Sequence, residues 1–334
     1  MTLTADQIKQ RALALGADAV AIGNIQRWDG APIQMDPRQI MPEARSVIAL
    51  AFRVMRGSLR GVEEGTFFSN YSSMGYGGIT YLYMPMTVIN LAKQIEDHGY
   101  EAIPYGHQSD WRSIDNVGGP RPDFSRPVAP GRAAPDVMVH LRIAAYLAGL
   151  GEIGFSKMLL TPQFGPRQRV GIVITEAELE PDPIYDGPPL CNRCLACVHD
   201  CPGQAFDPDR TVKVTLAGRE VEWMDIDCNA CDMAFRGGQV DDSVSPQDSY
   251  AAMGRGNRPG WWSPFYRKPR NLYNTGQAVC GSCGCTRACM ISLEARGVLA
   301  NKFHAPFRRR RPWRVEWSDD SPDGPDRPAR PEAD

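Results

Sequence analysis

The chain has 334 residues, 43% of them hydrophobic, enough for one large domain or two ordinary ones with a sizeable core. Its 37 basic and 39 acidic residues leave a net charge of -2, so no basic surplus argues for nucleic acid. The start, MTLTADQIKQRALALGADAV, has no apolar stretch flanked by basic residues and no twin arginine, and no run of about eighteen apolar residues occurs anywhere. A cytoplasmic protein without a membrane segment is expected.

Thr4 with Gln7 three residues on forms a capping box, which predicts a helix that stops near Gly16. AVAI at 19–22 and SVIALAF at 46–52 are short apolar runs, partly β-branched, and read as buried strands. Residues 69–80, SNYSSMGYGGIT, are rich in Gly, Ser and Tyr and read as a flexible loop. A helix follows, with Met86, Ile89, Leu91, Ala92 and Ile95 on its apolar face and Pro85 in its first turn, where a missing N–H costs nothing. Tyr81 and Tyr83 then stand at its entrance. From Tyr105 to Pro135 the composition turns to Gly, Pro, Arg and Asp, a long irregular segment of the kind that often covers a site.

Residues His140 to Leu150 return to helix and run into Gly149-Leu-Gly151-Glu-Ile-Gly154, formally G-x-G-x-x-G, with Glu176 some way beyond. A dinucleotide site needs a strand before the first glycine, and IAAYLA is helical, so that reading is refused. VGIVIT at 170–175 is a strand, and the loop before it carries Arg167 and Arg169. A Pro-rich link at 181–190, PDPIYDGPPL, leads to the cysteines.

All ten cysteines lie after residue 190. Cys191, Cys194, Cys197 and Cys201-Pro202 spell C-x-x-C-x-x-C-x-x-x-C-P, the iron–sulfur run whose fourth cysteine serves a second cluster in two-cluster ferredoxins. A second cysteine group is therefore required, and Cys228, Cys231, Cys280, Cys283, Cys285 and Cys289 supply it. Metal-ligand spacing in a long chain argues against a disulfide framework. Cys228-x-x-Cys231 with Cys280-x-x-Cys283 also has the form of a zinc ribbon with a long insert.

The cysteine run, the block GLGEIGFSKMLLTPQFGPRQRVGIVIT before it, the helix ending HGYEAI and the early DPRQIMPEARSVIALAF together resemble the cobalamin-dependent reductive dehalogenase and epoxyqueuosine reductase superfamily. The resemblance covers roughly residues 10–290 and lies closer to the dehalogenase branch. It implies an α/β fold: a nitroreductase-like corrinoid-binding domain over 1–180, then a bacterial-type two-[4Fe–4S] ferredoxin domain over 181–304. Within the second domain an insert falls at about 237–277, and a tail at 305–334 is expected to be disordered.

The resemblance also implies two [4Fe–4S] clusters and a cobalamin held base-off, without a histidine ligand. Cys191, Cys194, Cys197 and Cys289 would hold one cluster. Cys201, Cys228, Cys280 and Cys283 would hold the other, with Cys285 competing with Cys283 and Cys231 left over as a substitute. Gly149, Gly151, Gly154, Leu160, Phe164 and Gly165 of the GLGE to FGPR block would contact the corrinoid. Tyr81 falls where the dehalogenases place a proton-donating tyrosine, and Arg167 where they place a basic partner. Tyr83 is the nearest substitute for Tyr81.

In the epoxyqueuosine branch the acid is an aspartate, near whose place stands Asp136. A phenol with a pKa of ~10 becomes a better acid when an arginine stabilises its phenolate, and the same cation can hold an anionic leaving group. The function implied is removal of a substituent, most simply a halide, from a small organic substrate, with electrons from a ferredoxin or flavodoxin. The alternatives are reduction of epoxyqueuosine on tRNA and a two-cluster electron carrier without a corrinoid.

Overall fold

A computed structural model describes residues 3–64, 66–67, 70–107, 127–135, 137–201, 203–228, 230–231, 235 and 284–307. Four strands, β1 (Ala19–Asn24), β2 (Ser46–Arg53), β3 (Ala102–Tyr105) and β6 (Gln168–Thr175), form one antiparallel sheet in the order β1-β2-β6-β3. Two short strands, β4 (Glu152–Ile153) and β5 (Leu159–Leu160), pair beside it. The sheet is covered on both faces, which is why β2 reads as an unbroken apolar run. Ile48, Leu50 and Phe52 enter one core, while Val47, Ala49 and Ala51 enter the other.

The first core is closed by helices α1 (Ala5–Ala14) and α3 (Met84–Glu96), and the second by α4 (Leu141–Ala148). The Thr4–Gln7 capping box starts α1, and Gly16 follows it at φ 110. Residues 56–64 add α2 (Arg56–Glu64). The stretch expected to be a flexible loop is instead a π-helix, Tyr71–Tyr83, that runs directly into α3. Its small residues permit this: a side chain on Gly75 would come within 2.9 Å of Ser58 on α2 and of Tyr71.

The cysteine-bearing half begins with the loop from Leu190 into the short helix α5 (Ala196–His199). A hairpin follows, β7 (Phe206–Leu216) and β8 (Arg219–Ile226), turned by Ala217 and Gly218, both at positive φ. Trp223 on β8 packs into the second core. Helix α6 (Cys285–Ala295) then brings Met290 and Leu293 into the first. Its Arg287 reaches Asp200 at 3.0 Å in a pair whose arginine is buried.

Residues 297–307 lie back across the first half. Ala300 and Asn301 donate backbone N–H bonds to Pro162 and Gln163, and Arg56 donates to the carbonyls of Ala305 and Pro306. Phe307 is 2% exposed and its N–H reaches Glu294 at 2.6 Å, so the tail expected to be disordered from residue 305 is ordered through 307. The insert at 237–277 and the chain from 308 lie outside the described residues. Among the described residues no helix is long and apolar enough to cross a membrane.

Candidate functional site

Four thiols surround one cavity. Cys191, Cys194 and Cys197 reach it from the loop and α5, Cys289 reaches it from α6, and Leu160 and Phe155 close its apolar side. The loop wraps because Arg193 and Leu195 take φ of 54° and 58°, turning the chain between successive cysteines. Phe155 donates its N–H to Cys191 Sγ at 3.3 Å, Ala205 donates to Cys201 Sγ at 3.4 Å, and the Cys194 thiol meets Ser292 Oγ at 3.6 Å. Glu152 accepts the N–H of Cys191, which anchors the loop's first residue; burial raises that carboxyl's pKa, and the N–H groups of Cys191 and Leu190 oppose the rise.

Burial, followed by the neighbouring Cys191 and Cys194, pushes the Cys197 thiol up to about 11. Burial and the same neighbours hold Cys289 well above the ordinary thiol value. Thiolates so placed repel one another unless cations stand among them, which is what iron supplies. Among the described residues no three side chains converge as ligands of a single ion. Four thiols around one cavity are a donor set that a cubane, which spreads its ligands over several irons, can use.

A second group forms around Cys285. Its thiol is pushed up to about 11 by burial and then by Cys201, with Arg142 opposing. Arg142 is also in the field of Cys231, and Lys157 in that of Cys228. Cys285, which competes with Cys283 on spacing, is thus the described cysteine set beside Cys201. Cys280 and Cys283 lie outside the described residues.

Tyr81 sits in a cluster of aromatic and basic side chains. Its hydroxyl is 3.3 Å from that of Tyr76 and 3.4 Å from His107 Nδ1, and its ring meets both edge-on, at 5.8 and 5.5 Å. Arg169 lies 4.6 Å over the Tyr76 ring and donates to the Tyr71 hydroxyl. Tyr71, Tyr76 and Tyr81 are five residues apart. In an α-helix that step turns about 140° away from one face, whereas the i→i+5 π-helix nearly restores it.

Arg167 is elsewhere. It is 1% exposed, donates to Val54 O at 2.6 Å and Asn301 Oδ1 at 2.8 Å, and lies 5.3 Å over Phe303. Burial brings its pKa down to about 10, with Glu294 opposing and Arg56 and Arg53 adding to the fall. Arg167 fastens the 297–307 segment, and the cation placed against the tyrosines is Arg169, two residues along. Tyr83 donates to Gly16 O at 3.0 Å, away from the Tyr81 hydroxyl's partners. Asp136 lies outside the described residues.

The six residues expected to contact the corrinoid are packed against protein. A side chain on Gly149 would strike Pro183 O at 2.3 Å, on Gly151 Leu160 O at 2.0 Å, and on Gly154 or Gly165 the side chains of Leu160 or Leu293. Leu160 and Phe164 are buried. At each of these four glycines a side chain would meet neighbouring protein atoms.

Arg142 and His107 each keep more than a third of their surface open, and desolvation lowers the pKa of both. Arg169 adds to both shifts and so stands near each. Arg169 Nε and the hydroxyl of Thr80, next to Tyr81, are buried without hydrogen-bond partners among the described residues. Residue spacing missed His107, Tyr76, Arg142 and Arg169 as a group, because they come from separate elements.

No family model matches the chain. A tetrachloroethene reductive dehalogenase of Desulfitobacterium hafniense is 40% identical over 72 residues, 21% of this chain and 13% of that one. An epoxyqueuosine reductase of Gloeobacter violaceus is 27% identical over 232 residues, 62% of each chain. These relatives are oxidoreductases. The chain spans less than two thirds of the length of either. Among solved structures, a catabolic reductive dehalogenase superposes with a TM-score of 0.49 at 20% identity, over 88% of this chain and 35% of that one. A selenomethionine-labelled epoxyqueuosine reductase superposes with a TM-score of 0.42 at 14% identity, over 82% and 68%. The sequence matches support a likeness to the superfamily that contains both kinds of reductase.

Proposed function

We propose that this chain removes a substituent, most simply a halide, from a small organic molecule, using two [4Fe–4S] clusters and a corrinoid. The overall change is R–X plus one proton and two electrons giving R–H and X⁻. What carries the reading is a phenol hydrogen-bonded within an arginine-flanked aromatic cluster, where Arg142 lies in the field of both Arg169 and the Cys285 group.

Cys191, Cys194, Cys197 and Cys289 would hold one cluster; Cys201 and Cys285, with Cys231 or Cys228, would hold the other. Arg142, Lys157 and Arg169 would face the corrinoid, which supplies a low-valent metal for the two-electron step when bound. Tyr81 gives the carbon its proton. Arg169 stabilises the phenolate through Tyr76 and steadies the departing anion.

Electrons would come from a ferredoxin or flavodoxin, and the protein would work in the cytoplasm. The test is anaerobic reconstitution with iron, sulfide and cobalamin, then turnover of a bromophenol, whose anion suits Arg169, and of tetrachloroethene. About eight irons and one cobalt per chain are expected. Tyr81→Phe should keep both metals and lose on the order of 100-fold or more in turnover. Unchanged turnover would sink the role of Tyr81.

A second reading is favoured by the match over 62% of the epoxyqueuosine reductase. It keeps the cofactors and takes a modified tRNA base as substrate. Binding of a tRNA stem loop would then weaken steeply with salt through counterion release, and a flat response removes it.

A further inference from the structure

His107 belongs to no motif in the sequence. It lies two residues past the end of β3, and its Nδ1 is 3.4 Å from the Tyr81 hydroxyl. The Tyr76 ring stands edge-on to it at 6.3 Å, and Arg169 is the charged group in its field. Among the described residues the groups facing it are therefore two phenols of the π-helix and one guanidinium of β6. Among the described residues no carboxylate is hydrogen-bonded or ion-paired to it.

More than a third of His107 is open to solvent, whereas Tyr81 is more covered. The imidazole thus touches water on one side and Tyr81 on the other. A phenol that gives a proton to carbon in each cycle must regain one, and among the described residues its hydroxyl contacts are Tyr76 and His107. Transfer from Tyr76 would only move the phenolate to Tyr76, whereas an imidazole, which ordinarily titrates near ~6.5, exchanges protons with water at neutral pH.

We propose that His107 returns the proton to Tyr81 after each turnover. This rests on Tyr81 as the proton donor. The Nδ1 proton passes to the phenolate oxygen while the ring takes a proton from water on its open side. One proton enters, one is handed on, and no electron moves. Burial and then Arg169 lower the imidazole's pKa, so its cation, once formed, is a willing donor and the resting ring is neutral at pH 7.

The experiment uses the reconstituted holoenzyme with the bromophenol probe. In His107→Gln, which can still hydrogen-bond Tyr81, the first turnover should keep its wild-type rate and steady-state kcat should fall on the order of 100-fold. Imidazole added to His107→Ala should restore kcat in proportion to the protonated imidazole present. A purely positioning role would slow the first turnover equally and give no such rescue, and that result overturns the proposal.

A second measurement needs no turnover. With 3-fluorotyrosine in place of Tyr81, the fluorine resonance should show an inflection below pH 6.5 that vanishes in His107→Gln. Absence of the inflection overturns the relay by itself. If the inflection is present and Tyr81→Phe turns over normally, the donor reading fails and the relay, which has no phenolate to serve, fails with it. If Tyr81→Phe is inactive and His107→Gln behaves as wild type throughout, only the relay fails.

Discussion

Three of the four thiols around the cysteine cavity come from the seven residues between Cys191 and Cys197, and Cys289 alone arrives from a distant helix. The tyrosine cluster takes Tyr71, Tyr76 and Tyr81 from a π-helix, His107 from beyond β3 and Arg169 from β6. The first is written into local spacing, since a tight loop with two left-handed residues brings its own sulfurs together. The second exists only after the sheet has formed. Substitution should therefore damage them differently: a cavity cysteine removes a cofactor, while a cluster residue removes a step.

Cys289→Ser gives the largest effect. It takes the one long-range ligand from the cavity and should leave about half the iron of two cubanes, with loss of turnover. If iron content and turnover both stay at the wild-type level, Cys289 is no ligand and the cavity is coded entirely by its loop.

The two arginines make the next test, because only two positions separate them. Arg167→Met removes a buried cation that satisfies Val54 O and Asn301, and should lower stability by about 3 kcal/mol. Arg169→Met should cost about 1 kcal/mol and reduce turnover on the order of 100-fold. Chemical denaturation and steady-state kinetics read both. A collapse of turnover with unchanged stability in Arg167→Met would return the catalytic cation to Arg167.

Those same arginines mark what was legible in the chain. Strands β1, β2 and β6, helix α1 and the cysteine spacing were readable, because short apolar runs, a capping box and metal-ligand intervals act over a few residues. Helix α4 was readable too, and it sets Gly149 at its left-handed end where a nucleotide motif would need a strand. The Tyr71–Tyr83 stretch was not, since Gly and Ser predict loop and tyrosines five apart share no α-helical face. Arg167 and Arg169 look alike in sequence; the direction of each is decided by which surface packs there, the 297–307 segment or the π-helix.

His140 offers a smaller, pH-dependent test at the start of α4. It caps α4 by accepting the Ile143 N–H, and burial, then Arg142 and Lys157, bring its pKa down to about 4. A histidine with a depressed folded pKa contributes stability that is fully present above its unfolded value near 6.5 and is lost as pH falls toward 4. Each unit in that window costs up to about 1.4 kcal/mol. His140→Asn keeps a capping side chain without the titration, so its melting temperature should fall less than wild type between pH 6.5 and 4.5. Parallel curves would place the acid-sensitive group elsewhere.

The smallest effect separates neighbouring tyrosines. Tyr83 donates to Gly16 O, and its ring meets Phe52 edge-on at 5.9 Å, so it ties the start of α3 to the end of α1. Tyr83→Phe keeps the ring and removes an exposed hydrogen bond, which should cost about 0.5–1 kcal/mol and leave turnover unchanged. Tyr81→Phe should do the reverse, because among the described residues its hydroxyl bonds to side chains that themselves belong to the cluster. Thermal melts and kcat on the two variants side by side decide it. If Tyr83→Phe were the one to lose turnover, the proton donor would lie on the α1 side of the π-helix, and Arg169 and His107 would be bystanders to it.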